Sequence, residues 1–250
     1  MKNICIMGLS ILSLLSVNAD NTSQSLTPRP RAGVESSDYE TTRGSRVSWA
    51  RGKFLVSSRS ANIRQWEWFL YPSADLKFIE HLANNSSVNI EQEWNVVSFK
   101  RLDQMVAFPM IFLSGEHYVN MGKLEESNLK EYLLRGGMLW IDDCVWKGQN
   151  YFYRSMRDKL RKIFPNIVFK SYKRDHQILT CYYKFKNWVH FQGINTGVTF
   201  AYLDGRLIAI MSGSDLHCGW VGAGWFKPSP QKRDQSFMLG INVYIYSMCN

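Results

Sequence analysis

From Val47 onward, apolar residues recur in two alternating rhythms. Short apolar runs mark strands, and stretches with apolar positions three and four apart mark helices. Lys53-Phe54-Leu55-Val56 reads as a first strand. Asp75 to Ala83 sets Leu76, Phe78, Ile79 and Leu82 on one helical face, with Asp75 as the expected N-cap. Trp94 to Phe99 reads as a strand. Met110 to Leu113 is another, running out into Ser114-Gly115. Leu124 to Leu134 is a helix stopped by Arg135-Gly136-Gly137, and Met138 to Ile141 is a buried strand. Tyr151 to Phe164 is a basic amphipathic helix ended by Pro165, followed by a short strand at Ile167 to Phe169.

The later pattern differs. Val198 to Leu203 and Arg206 to Met211 flank Asp204-Gly205, the signature of a hairpin with a type I′ turn. Gln235 to Met248 reads as a final helix, although Gly240, Ile241, Val243 and Ile245 give it poor intrinsic propensity. Alternating strands and helices imply an α/β domain over residues 47–250. Its three layers would be a mostly parallel sheet covered on both faces, with the hairpin antiparallel at one edge.

Upstream the composition changes. Lys2 precedes an apolar run from Ile4 to Val17, and Val17-Asn18-Ala19 puts small residues where a signal peptidase reads. Such a run of about 14 residues rises roughly 21 Å as a helix, short of a ~30 Å hydrocarbon core. Residues 1–19 are therefore expected to be a cleaved signal peptide, and the mature protein to be exported, periplasmic or secreted. Residues 20–46, rich in Ser, Thr, Arg and Pro, are expected to form a flexible tail. No later stretch is long and apolar enough to span a bilayer, so no transmembrane span is expected after signal cleavage.

Lys and Arg number 30 against 21 Asp and Glu, a net charge of +9. The positive charge is scattered, and its densest stretch, Arg154 to Lys173, reads as the solvated face of a helix. An exported protein meets little nucleic acid, so none is expected as a partner. Cys144, Cys181, Cys218 and Cys249 remain after cleavage. They contain no Cys-x-x-Cys. Export permits disulfides in any of three pairings, with buried thiols as the alternative.

One ordered set of phrases carries a resemblance. Leu133-Leu134-Arg135-Gly136-Gly137-Met138-Leu139-Trp140-Ile141-Asp142-Asp143 is followed by Asp175-His176-Gln177-Ile178-Leu179 and Gly205-Arg206-Leu207. Ser214-Asp215-Leu216, Gly219-Trp220 and Leu239-Gly240-Ile241-Asn242-Val243 with Tyr246 complete it. From about Trp49 to the C-terminus, the chain resembles the DUF4159 family, a domain of unknown function. Gln177 stands where that family usually has Pro. The resemblance implies a flavodoxin-like fold similar to class I glutamine amidotransferases, in an exported or membrane-associated setting. It implies neighbours among von Willebrand A-domain proteins and MoxR-type ATPases. It implies no reaction, and no cofactor is expected.

An amidotransferase-like fold raises the question of a nucleophile. Cys144 follows a strand, but no glycines flank it, two carboxylates precede it, and no His-x-Glu pair lies downstream. These features argue against glutaminase chemistry. The expected ligand crevice lies at the carboxyl edge of the sheet, around Glu116, His117, Asp142, Asp143 and His176. Each has a structural alternative. The aspartates can cap the next segment or pair with the basic helix. His117 can be a solvent-exposed loop residue, and His176 can stabilise its own turn. Asp215, His217 and Trp220 form a second candidate cluster. With Trp225 and glycines 219, 222 and 224 it reads either as an aromatic ligand loop or as cover for the hairpin. Two functional classes follow. One is a noncatalytic binding or assembly module of the bacterial envelope. The other is a hydrolase using carboxylates and His176, with or without a metal.

Overall fold

A computed structural model describes residues 34–35, 46–57, 67–145, 149–191, 197–221 and 229–249. The expected signal peptide, nearly all of the expected tail, Gly222, Gly224 and Trp225 lie outside the described residues. The strands are β1 (Val34–Glu35), β2 (Val47–Lys53), β3 (Leu55–Ser57), β4 (Ile90–Ser98), β5 (Met110–Gly115), β6 (Tyr118–Asn120), β7 (Met138–Asp143), β8 (Val168–Ser171), β9 (Val198–Leu203) and β10 (Arg206–Ser212). The helices are α1 (Pro72–Asn85), α2 (Leu102–Met105), α3 (Lys123–Leu134), α4 (Tyr151–Ile163), α5 (Leu216–Val221) and α6 (Pro230–Cys249).

Eight strands form one sheet in the order β1-β4-β2-β5-β7-β10-β9-β8. Every pairing from β1 to β10 is parallel, and β9 alone runs against its neighbours. The expected hairpin is β9–β10. Asp204 and Gly205 both take positive φ, 50° and 84°, as a type I′ turn requires. The hairpin lies one strand in from the edge, because β8 pairs outside β9. β3 and β6 form a separate antiparallel ribbon.

Side chains along each central strand alternate between two cores. On β7, Met138 and Trp140 join the core under α1, α5 and α6, whereas Leu139 and Ile141 join the core under α2, α3 and α4. Burial on both faces is why these strands read as unbroken apolar runs rather than alternating ones. The first core is aromatic. Trp49 lies 4.8 Å from Phe78, Phe78 stacks 4.4 Å from Trp220, and Phe112 lies 4.9 Å from Trp140.

Two sequence expectations are corrected. The first strand of the expected domain is β2, Val47–Lys53, not Lys53 to Val56: Phe54 interrupts it and the chain continues as β3. The charge of Arg51 and the missing side chain of Gly52 hide β2 from a hydrophobicity reading. Asp75 does not cap α1. Tyr71 occupies that position at φ 51°, while Asp75 lies buried in the first turn, paired with Arg51.

α6 forms despite its composition because its glycine is a packing device. A Cβ at Gly240 would stand 2.6 Å from the Phe78 ring and 2.9 Å from that of Trp220. Helix propensity alone favours Gly240→Ala by about 1 kcal/mol. The contact reverses that sign, and the variant is expected to lose about 1–3 kcal/mol in urea unfolding. A stabilised variant would mean that α6 does not press on this aromatic core.

Candidate functional site

β2 and β5 are neighbours, yet the chain leaves β2 over one face and reaches β5 over the other. α1 packs with the first core and α2 with the second. At such a reversal, outside the carboxyl ends of the strands, open α/β sheets take their ligands in a crevice. Lys53, Gly115, Asp143 and Ser212 end the four central strands at this edge.

Asp142 and Asp143 point to opposite faces, as adjacent strand residues must. Asp142 accepts from Ser212 Oγ at 3.0 Å and from the His217 N–H at 2.9 Å. Asp143 accepts from the N–H groups of Val145 and Tyr153, both at 2.7 Å. One carboxyl thus fastens the start of α5, the other the loop after β7 and the first turn of α4. Burial pushes each up to about 7 despite these bonds, and for Asp143 the nearby Asp142 and Glu116 act in the same direction.

Glu116 and His117 follow β5 over a buried carboxylate that sequence reading did not single out. Glu67 accepts from the N–H groups of Glu116 and His117 at 2.9 and 3.0 Å, and its other oxygen bonds His117 Nδ1. The carboxylate fixes the imidazole's orientation, an arrangement shared by histidine bases and metal ligands. Glu67, Glu116 and His117 hold their ligand atoms within 4.8 Å of one another.

Cys144 donates its N–H to Gly115 O at 3.0 Å, and Asp215 donates its N–H to Asp143 O at 3.2 Å. The Sγ atoms of Cys144 and Cys218 and an oxygen of Asp215 lie within 4.8 Å of one another. The four described cysteines all stand as thiols. The Cys218 hydrogen bond and burial push the Cys144 thiol well up, the reverse of what a nucleophile needs. Burial raises the Tyr71 hydroxyl as well, with Cys218, Glu116, Cys144 and Asp215 adding to it. One neighbourhood therefore gathers residues from α1, β5, β7 and the β10–α5 connection.

His176 stands apart from this neighbourhood. Its Nδ1 accepts the Ile178 N–H at 3.2 Å, capping the short turn Gln177–Leu179, and its ring packs on Phe200 and Tyr246. The expected second cluster also divides. Asp215 turns toward the thiols. Trp220 is wholly buried among Trp49, Phe78, Phe112 and Trp140, with its indole N–H on Ser236 O.

His217 faces the aromatic core instead. There Arg51 donates through Nη1 to Asp75 at 2.6 Å and to His217 Nε2 at 2.7 Å, and the Trp49 indole donates to Asp75 at 2.7 Å. His217 Nε2 also lies 3.3 Å from Asp75, but a guanidinium can only donate, so at the shorter contact Nε2 accepts and the imidazole is neutral. Burial and Arg51 push His217 down to about 4. Burial opposes ionisation of Asp75, but Arg51, with the Trp49 indole, holds its carboxyl below the usual range. Only one signal in the sequence pointed here, a lone Arg between Trp49-Ala50 and Gly52.

The family model described as "Domain of unknown function (DUF4159)" matches residues 60–248. No curated protein matches the chain. No helix among the described residues is long and apolar enough to cross a membrane.

Two outcomes are expected from this geometry. A folded-state value near 7 against the ordinary 3.8 means that Asp143 contributes stability at low pH and loses it as pH rises through 7. Asn does not titrate, so the deficit of Asp143→Asn in chemical unfolding should be larger near pH 5 than near pH 8. A deficit that grows with pH would show that the folded protein favours the ionised form. Separately, Arg51→Met leaves Asp75 buried without its cation and should cost about 3–5 kcal/mol. Adding Asp75→Leu should recover most of that loss, and a double variant as unstable as the single would refute the pairing.

Proposed function

Given that the chain belongs to the DUF4159 family, we propose that it is an exported, noncatalytic binding or assembly module of the bacterial cell envelope. One observation carries the reading. The two strand-end aspartates commit their oxygens to backbone N–H groups and Ser212. His176 meanwhile caps its own turn rather than joining them. The acid–base set that a hydrolase would draw from Asp142, Asp143 and His176 is thus engaged elsewhere. What remains near the strand ends are the polar side chains of Tyr71, Glu116 and His117, which could grip a partner. The apolar run Ile4 to Val17 behind Lys2, with Ala19 at the cleavage position, supports export to the periplasm or beyond. The family setting suggests von Willebrand A-domain proteins or MoxR-associated systems as partners.

The Glu67–His117 contact favours a second reading, a hydrolase in which His117 is the base. The two readings separate in the native host. A binding module should begin at or near Asp20 by N-terminal sequencing. It should also copurify from envelope extracts with a defined partner that Glu116→Lys releases. An intact Met1 in a cytoplasmic fraction would overturn export. A hydrolytic activity of the purified protein that His117→Ala abolishes would overturn the noncatalytic reading.

A further inference from the structure

Three metal-binding side chains, two of them far from the third in sequence, converge beside the crevice. Cys144 comes from the end of β7. Asp215 comes from the β10–α5 connection and Cys218 from α5, three residues apart and so on one side of a helical turn. Their two sulfurs and one carboxylate oxygen all lie within 4.8 Å of one another. A tetrahedral zinc ion, with metal–sulfur bonds of about 2.3 Å and metal–oxygen bonds near 2.1 Å, separates such ligand atoms by roughly 3.5–3.8 Å. Small side-chain rotations close the difference.

The backbone holds these residues firmly. The Cys144 N–H is tied to Gly115 O at the end of β5, and the Asp215 N–H to Asp143 O at the end of β7. Neither residue can retreat without breaking a bond to the sheet. Asp215 is also kept at φ 55°, in the left-handed region that Asp enters more readily than most residues. Cys218 is the partly accessible member of the three, which gives an ion a way in.

We propose that Cys144, Asp215 and Cys218 bind one zinc ion, with the fourth coordination position open toward Tyr71 and Glu116. Two thiolates select zinc over calcium or magnesium, and the carboxylate suits a borderline ion better than a purely soft one. Binding forms two metal–sulfur bonds and one metal–oxygen bond and releases the two thiol protons to solvent. No oxidant is needed. The site goes beyond the binding role proposed above and does not depend on it.

The test uses the full chain, purified with its thiols reduced and then titrated with Zn²⁺ or Co²⁺. One equivalent of Zn²⁺ should bind by elemental analysis. Co²⁺ should produce near-ultraviolet thiolate charge-transfer absorption with the visible bands of a tetrahedral ion. Cys218→Ser, at a partly exposed position, and Cys144→Ser should each abolish the charge-transfer band or halve it, whereas Cys181→Ser should leave it unchanged. Asp215→Asn should weaken Zn²⁺ by more than the roughly 10–100-fold that loss of a mere outer-shell partner costs. Because buried Cys144→Ser can fail to fold, Cys218→Ser is the deciding variant. The proposal is overturned if reduced wild type gives no thiolate band with Co²⁺, or if the full band survives in Cys218→Ser.

Discussion

Asp142 and Asp143 stand side by side at the end of one strand and face opposite ways, so each helical layer receives one carboxyl. Asp142 reaches through Ser212 and the His217 N–H to α5. Asp143 reaches the Tyr153 N–H of α4. Backbone donors at helix starts are otherwise unsatisfied, and buried ones are costly. A pair of acceptors at the centre of the sheet resolves this on both faces at once. The cost falls on the carboxyls, whose burial outweighs the bonds they accept and raises both to about 7. The rest of the crevice is arranged around this pair. Cys144 follows it directly, and Asp215 bonds the Asp143 carbonyl.

A second buried polar group holds the other side of the crevice. Arg51 on β2, Asp75 on α1 and His217 on α5 connect three elements within an aromatic core. Such a pair adds little net stability over a well-packed apolar substitute, since desolvation offsets most of the attraction. It does fix position. α1 cannot slide along the sheet without separating Asp75 from both Arg51 and the Trp49 indole. Tyr71, at the start of α1, is therefore set over the strand ends, and Cys218, next to His217, is set opposite it.

Elements that declare themselves locally were legible in the sequence. The Gly-Gly stop after α3, the β9–β10 turn and the apolar runs of β5 and β7 each rest on residues within a few positions of one another. That Glu116, His117, Asp142 and Asp143 would gather at one edge of the sheet was legible too, because strand ends follow from strand order. The partnerships within it were not. Glu67 supports His117 across 50 residues and Arg51 meets His217 across 166, and no spacing rule reaches that far. His176 misled for the opposite reason. Next to Asp175 it looks like an oriented base, but the shortest hydrogen bond open to it was the Ile178 N–H two residues on. Local side-chain bonds of this kind compete well because they require little chain ordering.

Backbone conformation distinguishes this neighbourhood from the rest of the fold. Four described residues other than glycine have positive φ: Tyr71, Val145, Asp204 and Asp215. The hairpin turn accounts for Asp204, where Asp tolerates that region readily. The other three gather where α1, β7 and α5 meet the crevice. Val145 is the most demanding, because a β-branched side chain in the left-handed region is a genuine outlier. Conformations of this kind cost of order 1–3 kcal/mol each and persist only when the surroundings over-determine them. Here the surroundings are visible. The Val145 N–H is held by Asp143, the Asp215 N–H by the Asp143 carbonyl, and Tyr71 precedes the helix that Arg51 anchors through Asp75. The stability that these bonds provide is partly used to hold Cys144 and Asp215 where relaxed loops would not put them.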